Sequence, residues 1–165
     1  MIEQNDIDNA ARFAERFRTI VLEQYPDWDQ YFIPPNLEWQ TAGDIAIEVP
    51  SRFAPKCPLR IETMWEGIII NWVGWHVHCD GWGGQVTEDE FVGEALEIVN
   101  GILTEFIVII TTWKDGSSGA GGNCLVEDLE SELEGTWSIF GKGKDIVVLS
   151  WKGTYDRGTF DPAWC

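Results

Sequence analysis

The chain has 165 residues, of which 28 are Asp or Glu and 11 are Lys or Arg, giving a formal net charge of −17. Nucleic acid and anionic membrane surfaces are therefore disfavoured as direct ligands, because binding phosphate groups requires clustered Lys and Arg. With 44% hydrophobic residues, the chain can bury a large core, so we predict a single domain over residues 1–165 that folds without a disulfide or a metal.

The N-terminal part of the chain predicts one amphipathic helix over residues 6–24. Apolar residues recur there at intervals of three and four, which places them on one face, while Arg and Glu residues occupy the other. Pro26 ends this helix. Residues 27–36 are predicted to form an ordered loop anchored by aromatic side chains.

Alternating apolar and polar residues then predict strands with one buried face each. A turn at Glu66-Gly67 leads into the longest strand, in which Gly74 indicates a bulge or a bend. The last two strands form a predicted hairpin, joined by a Gly-Lys-Gly-Lys turn. The predicted strands are residues 45–49, 59–65, 68–79, 105–113, 136–140 and 145–151.

A second helix is predicted to begin at Thr87. Thr87 and Glu90 match the capping-box pattern, and acidic residues in the first turn suit the positive end of the helix dipole. The apolar stripe of this helix runs from Phe91 to Ile102. Residues 114–123, KDGSSGAGGN, are predicted to be a flexible connection, because glycine and other turn-forming residues dominate there.

This order of elements predicts the α+β fold class. Two helices that alternate with groups of hairpin-connected strands give an antiparallel β-sheet with the two main helices packed on one face. Seven of the 10 Trp residues lie on or beside predicted strands. These are more large rings than one covered face accommodates, so some indoles are expected on the second face or its rim.

The cysteines, at positions 57, 79, 124 and 165, lack the CxxC spacing of a zinc ribbon or a redox motif. The N-terminus has no basic and apolar segments of a secretory signal, and no apolar stretch is long enough to span a bilayer. We therefore expect a cytoplasmic protein with free thiols. The glycine-rich segments lack the Lys of a phosphate-binding loop, and no cofactor is expected.

One short segment leaves a metal site open as an alternative. His76 and His78 are the only histidines and project to the same side of a predicted strand, with Asp80 next on that side. This spacing can present two imidazoles to one metal ion, as in a metal-binding protein or a metal-dependent enzyme. The other interpretation is that both are ordinary, partly exposed strand residues. Cys79 points to the opposite face from His78, which disfavours nucleophilic catalysis by this pair.

Four segments of the C-terminal half share a pattern with a known class of protein. They are WHVHCDGW, the acid-led helix EDEFVGEALEIVNGIL, the strand EFIVIITTW with KDG, and the terminal SWKGTYD. Over residues 75–156 the chain thereby resembles the small immunity proteins of bacterial polymorphic toxin systems. The resemblance implies an acidic, cytosolic, non-catalytic protein that occludes one cognate toxin. Such proteins have many folds and variable binding surfaces, so the resemblance assigns no binding residue.

A carboxylate-rich segment at residues 127–134 is the predicted contact site for a basic protein partner. Toxins that attack nucleic acid tend to be basic, and an acidic surface complements them. The predicted partner-binding residues are Glu127, Asp128, Glu130, Glu132, Glu134 and Trp137. The alternative for this segment is a solvated loop, because runs of charge usually face water. A carbohydrate-binding surface built from exposed Trp is a third function that the composition leaves open.

Overall fold

The structure, a computed structural model, confirms the α+β class. The residues that it describes are 4–35, 40–52, 54, 56–64, 67–80, 87–114, 117–140 and 144–158, without the side chains of 117–120 and 140. These residues form helices and antiparallel strands. None of the helices in these ranges has the length and apolarity needed to cross a membrane.

The strands of the described residues form two sheets. The helices are α1 (Gln4–Gln24), α2 (Glu88–Thr104), α3 (Leu129–Glu134) and α4 (Thr136–Phe140), with 3₁₀ helices at Pro26–Tyr31 and Val126–Asp128. The strands are β1 (Phe32–Ile33), β2 (Ala46–Val49), β3 (Leu59–Met64), β4 (Gly67–Trp72), β5 (Trp75–Asp80), β6 (Ile107–Lys114), β7 (Ser117–Leu125) and β8 (Asp145–Leu149). Strands β1 to β5 are adjacent in sequence order, whereas the second sheet has the order β7-β6-β8.

Contacts within the chain group it into two compact units of very different charge. Unit 1 comprises Met1–Val49, Leu59–Ile70 and Val77–Glu97, and unit 2 comprises Pro50–Pro58, Asn71–His76 and Ile98–Cys165. Unit 1 contains 18 of the 28 acidic residues and four of the 11 basic residues, a formal charge of −14. Unit 2 contains the other 10 acidic and seven basic residues, a formal charge of −3. The negative charge is therefore concentrated in unit 1.

Helix α1 confirms the predicted N-terminal helix and buries its apolar stripe in unit 1. The buried residues of the helix are Ala10, Phe13, Ala14, Phe17 and Val21. The Phe13 ring lies 5.5 Å from the ring of Phe91 in α2, and α1 also contacts β3. The periodicity of the sequence therefore identified the packed face correctly.

Strands β2 and β3 separate an apolar face from a charged face, as their alternation predicts. Ile47 lies opposite Ile61 in the antiparallel register, and both are buried. On the other face, the Arg60 guanidinium lies 2.9 Å from the Glu48 carboxylate and 2.8 Å from that of Glu62. Because Glu62 is only 8% exposed, this pairing compensates a carboxylate that is largely removed from water.

The strand predicted over residues 68–79 is wrong in its continuity, because a tight turn divides it into β4 and β5. Val73 and Gly74 form this turn, with φ angles of 53° and 77°. Positive φ at both central residues is the pattern of a type I′ hairpin turn. A β-branched residue rarely adopts positive φ, so Gly74 indicated a bend here but Val73 did not indicate a turn that ends the strand. Burial of the Val73 side chain offsets part of the strain.

The predicted start of α2 is confirmed in detail. The Glu90 carboxylate accepts hydrogen bonds from the Thr87 backbone N–H at 2.7 Å and from the Thr87 hydroxyl at 2.8 Å. These bonds, the backbone bond foremost, lower the pKa of Glu90. Arg16 of α1 also pairs with Glu88, at 2.6 Å, and with Asp89. The first turn of α2 is thus fixed both by its own cap and by α1.

Two predictions for unit 2 are wrong, and they concern two segments that pack against each other. The predicted flexible connection at 114–123 largely belongs to β7, which pairs with β6 so that Ile109 lies opposite Asn123. The predicted strand at 136–140 is instead helix α4. A Cβ atom placed on Gly122 would lie only 2.9 Å from the Trp137 ring. Glycine therefore leaves the room that the Trp137 indole of α4 occupies against the strand.

One cysteine departs from the expectation of free thiols. Cys57 is disulfide-bonded, so that expectation is wrong for this residue. Cys79 and Cys124 are free, and Cys165 lies outside the described residues. An even number of cysteines permitted a disulfide, but the sequence held no spacing that required one.

Replacing Gly43 by Ala should destabilise unit 1, because no space exists for the added methyl group. A Cβ atom there would lie 2.5 Å from the Ile7 carbonyl oxygen and 2.6 Å from the Ala11 nitrogen, both backbone atoms of α1. We expect the free energy of unfolding to fall by about 1–3 kcal/mol, measured by urea titration. Gly93→Ala is the matched control, since a Cβ there meets nothing within 4 Å. It should raise the stability of α2 by about 0.5–1 kcal/mol, and equal losses in both variants would contradict the packing at Gly43.

Candidate functional site

The acidic segment, residues 127–134, lies on the surface of unit 2 as one short helical region. Glu127 and Asp128 lie in the 3₁₀ helix that precedes α3, and the other three carboxylates belong to α3. Four of the five acidic residues are exposed, and Glu132 is half-buried. The segment is therefore helical and not a loop, and most of its carboxylates face water, as the alternative interpretation of a solvated charge run also expects.

Two leucines hold the acidic segment in this orientation. Leu129 is 2% exposed, and Leu133, four residues later on the same helical face, is partly buried against the same core. That core includes Val108 and Ile110 of β6 and Val148 of β8. Since the leucines occupy the inner face of α3, its carboxylates are directed to solvent.

Trp137, the sixth predicted contact residue, belongs to this core. Its side chain is 7% exposed and packs in the same cluster as Leu129. The other described indoles are similarly enclosed. Trp28, Trp72, Trp75 and Trp113 are buried, and Trp151 is half-buried. The expectation of indoles on an exposed face is therefore wrong for the described residues, whose large exposed hydrophobic residues are Phe106, Leu125 and Ile139.

Glu130 differs from its acidic neighbours because it is paired within the chain. The two terminal guanidinium nitrogens of Arg157, Nη1 and Nη2, donate to its carboxylate, Nη1 at 3.2 Å. The hydrogen bond with Arg157 lowers the pKa of Glu130 and raises that of Arg157. Arg157 also exchanges two backbone hydrogen bonds of 3.0 Å with Val148 of β8. Within the described part of the chain, Glu127, Asp128, Glu132 and Glu134 form no ion pair with a basic side chain.

The two free thiols are poor nucleophiles at neutral pH. Burial raises the pKa of Cys79 to about 12, with further contributions from Glu94 and Asp80. Burial likewise raises the pKa of Cys124 to about 11, assisted by Glu132 and Asp128. The thiolate is the reactive form of cysteine, so burial, together with these carboxylates, suppresses the reactivity of both groups.

The histidines of the alternative metal site occupy exposed positions on β5. His76 and His78 are both exposed, Val77 between them is half-buried, and Asp80 is half-buried. The predicted alternation of this segment is therefore confirmed. Throughout the ranges that the structure describes, no group of three or more His, Cys, Asp and Glu side chains has an arrangement that could hold a metal ion.

Glu105 is a buried carboxylate that the sequence did not reveal. It follows α2, has a φ angle of 63° and is 7% exposed. Its carboxylate accepts hydrogen bonds from the Lys152 N–H at 2.7 Å, the Thr154 N–H at 3.3 Å and the Thr154 hydroxyl at 2.5 Å. Glycine is the usual residue in this left-handed position after a helix. No sequence pattern indicates that a Glu at this position accepts hydrogen bonds from a loop far along the chain.

The loop held by Glu105, residues 150–156, is also closed internally. Asp156 accepts hydrogen bonds from the Ser150 N–H at 2.7 Å and from its hydroxyl at 3.1 Å, and the Ser150 hydroxyl oxygen accepts one from the Tyr155 N–H at 3.0 Å. Burial acts to raise the pKa of Glu105, but hydrogen bonds led by that of the Thr154 hydroxyl outweigh it, and the pKa is lowered. The ionised carboxylate therefore stabilises this loop.

Compared with family models, curated proteins and solved structures, the chain matches none of them.

Glu105→Gln should destabilise the protein at neutral pH by about 1–3 kcal/mol, because an amide replaces a charged acceptor of three hydrogen bonds. The pKa of Glu105 is lowered in the folded state, so its contribution is present above the ordinary Glu pKa and is lost as pH falls through the folded-state pKa. Urea titrations across this pH range should show wild type and variant converging in acid. Glu134→Gln, at an exposed site, should change stability by less than about 0.5 kcal/mol. Similar effects at the two positions would argue against the role assigned to Glu105.

Proposed function

We propose that this protein is a non-catalytic binding protein that occludes a basic protein partner by direct contact. The resemblance over residues 75–156 specifies that partner further, as a toxin for which this chain is the immunity protein. The acidic segment is the proposed contact surface. The partner contributes Lys or Arg side chains, since these are the groups that pair with carboxylates.

The observation that supports this proposal most directly is the orientation of the acidic segment. Five carboxylates lie within eight residues, and two inward-facing leucines keep them on the solvent side of a short helical region. Only Glu130 among them pairs with a cation of the described chain. Concentrating like charges is unfavourable in the isolated protein, and a cationic partner relieves it.

The charge of the whole chain supports fast encounter with such a partner. Unit 1 carries −14 of the −17 charges, so the long-range field is negative and attracts a basic protein before contact. The acidic segment supplies the local carboxylates for ion pairs. The negative field of the whole chain thus raises the association rate, whereas the carboxylates of the acidic segment determine specificity.

Neutralising the acidic segment should weaken binding more than an equal change of charge elsewhere. The variant carries Glu127→Gln, Asp128→Asn, Glu132→Gln and Glu134→Gln, and the partner is the basic protein encoded beside this gene, which should arrest growth when expressed alone. We expect its dissociation constant, measured by calorimetry in 150 mM salt, to rise by roughly 30- to 700-fold, since the four contacts contribute about 0.5–1 kcal/mol each, or about 2–4 kcal/mol together. Protection of growth should fall in parallel.

The matched control removes four exposed carboxylates of unit 1. It carries Glu15→Gln, Glu23→Gln, Asp27→Asn and Glu97→Gln, all exposed, and has the same net charge as the first variant. We expect it to slow association modestly and to leave the dissociation rate unchanged. Equal losses in the two variants would reject the acidic segment as the contact surface. A neighbouring protein that neither arrests growth nor binds would reject the proposed function itself.

We further propose that the protein acts in the cytoplasm, and the oxidation state of Cys57 tests this location. A reducing cytoplasm keeps thiols free, whereas a disulfide uses two sulfur atoms. Cells of the native host should be lysed directly into denaturant with an alkylating mass tag, and the tags counted by mass spectrometry. Four tags per chain are expected in a reducing compartment, because the sequence has four cysteines. Two tags would place the protein in an oxidising compartment and contradict this part of the proposal.

A further inference from the structure

The large hydrophobic side chains that are exposed within the described residues all belong to unit 2. Phe106 is 64% exposed, Leu125 is 42% exposed and Ile139 is 75% exposed. The described part of unit 1 has none, although unit 1 carries most of the net charge. A single exposed apolar residue is ordinary on a protein surface, so it is the shared location of the three that calls for a physical reason.

All three residues flank the acidic segment. Leu125 is the last residue of β7 and stands two positions before Glu127. The Phe106 carbonyl oxygen accepts a hydrogen bond of 2.9 Å from the N–H of Val126, which lies between Leu125 and Glu127 in the sequence. Ile139 belongs to α4, which contacts α3. Phe106 and Leu125 therefore lie at the start of the acidic segment, and Ile139 follows its end.

Packing within unit 2 does not account for these apolar side chains. The core cluster that holds α3 contains Leu129 and Leu133 but none of the three exposed residues. Their apolar surface remains in contact with water, which is unfavourable in the isolated protein. It becomes favourable when a partner covers it, and exposed apolar residues that lie together are typical of interaction surfaces.

The carboxylates beside them determine the charge of that partner. Glu127 and Asp128 are exposed and form no ion pair within the described part of the chain. Exposed ion pairs contribute little individually, because water and salt screen them. Binding surfaces therefore combine apolar contacts with a charged rim. The carboxylates select a cationic partner, and the apolar side chains supply the surface from which it removes water.

We propose that Phe106, Leu125 and Ile139 form, together with the acidic segment, one docking surface for a basic protein that carries large apolar side chains among its Lys and Arg residues. This inference deepens the proposed function, and it rests on that function for the identity of the partner. It adds that ion pairs alone do not hold the complex. The apolar contacts lower the dissociation rate, while the carboxylates favour encounter and orientation.

Replacing the three apolar residues by Ser tests this surface with the basic protein encoded beside the gene. We expect the dissociation constant of the variant Phe106→Ser, Leu125→Ser, Ile139→Ser to rise by roughly 10- to 100-fold, mostly through faster dissociation. The matched control, Phe106→Leu, Leu125→Ile, Ile139→Leu, keeps an apolar side chain at each position and should bind within about threefold of wild type. The urea midpoint of the Ser variant should match that of wild type, because all three side chains are exposed. If the Ser variant does not fold, Ile139→Ser alone, at the most exposed position, should still weaken binding.

The salt dependence of binding separates the apolar contacts from the ion pairs. Salt weakens ion pairs by screening, so the change of the dissociation constant with salt reports on the carboxylates. The Ser variant retains every charge and should show the salt dependence of wild type at lower affinity. The variant with four neutralised carboxylates should show a smaller salt dependence. A Ser variant with the affinity of wild type would overturn the docking surface, and weakened binding by the neutralised variant would leave the proposed function standing.

Two synthetic peptides decide the question if the neighbouring protein does not bind, an outcome that rejects the proposed function. One peptide of about 14 residues combines Lys with Leu at helical spacing, and the other has Ser in place of every Leu. Wild type should bind the Leu-containing peptide at least about tenfold more tightly in calorimetry, and the Ser variant should bind the two alike. Equal binding of both peptides by wild type would overturn the docking surface.

Discussion

The contact between Trp137 and Gly122 determines how unit 2 displays its carboxylates. Only hydrogen atoms on the Cα of residue 122 leave room for the indole, since a Cβ there would lie 2.9 Å from the ring. The indole is 7% exposed and shares a core cluster with Leu129. Together they hold α3 and α4 on the second sheet, and the acidic segment is directed outward because these apolar side chains occupy the inner face.

Carboxylates in this protein fall into two groups that burial and partners distinguish. Asp44 is buried and accepts hydrogen bonds from the Thr41 N–H at 2.7 Å and the Thr41 hydroxyl at 2.9 Å, and Glu105 has a comparable set of donors. Such groups stabilise local structure, because a buried charge is tolerated only when it is hydrogen-bonded. The carboxylates of the acidic segment other than Glu130 have no such internal task among the described residues, which is why a role in recognition is proposed for them.

Local patterns in the sequence predicted most of the elements that depend on neighbouring residues. The stripe of α1, the capping box at Thr87 and Glu90, and the alternation in β2 and β3 each arise within one element. The failures all involve distant partners. The sequence of β7 is rich in glycine and therefore resembles a loop, but the strand packs against the indole of Trp137. The turn at Val73 has a strained φ angle, and burial of the Val73 side chain stabilises it.

The candidate site shows the same division between local and distant information. The acidic character of residues 127–134 is visible in the sequence, but the helical form that directs these residues to solvent depends on Leu129 and Leu133 meeting a core formed by other strands. Glu105 was missed because its hydrogen-bond donors, Lys152 and Thr154, lie 47 and 49 residues away in the sequence. Trp137 was wrongly predicted to be a surface contact. The number of Trp residues in the sequence does not indicate which of them packs against a glycine-rich strand and is buried there.

Two carboxylates hold the 150–156 loop, Asp156 from within it and Glu105 from outside it. Glu105 acts through an ionised carboxylate whose pKa is lowered, so its support is lost as the pH falls through that lowered pKa. Arg157 directly follows this loop and pairs with Glu130 of α3. This ion pair therefore joins the end of the loop to the one carboxylate of the acidic segment that is paired internally among the described residues.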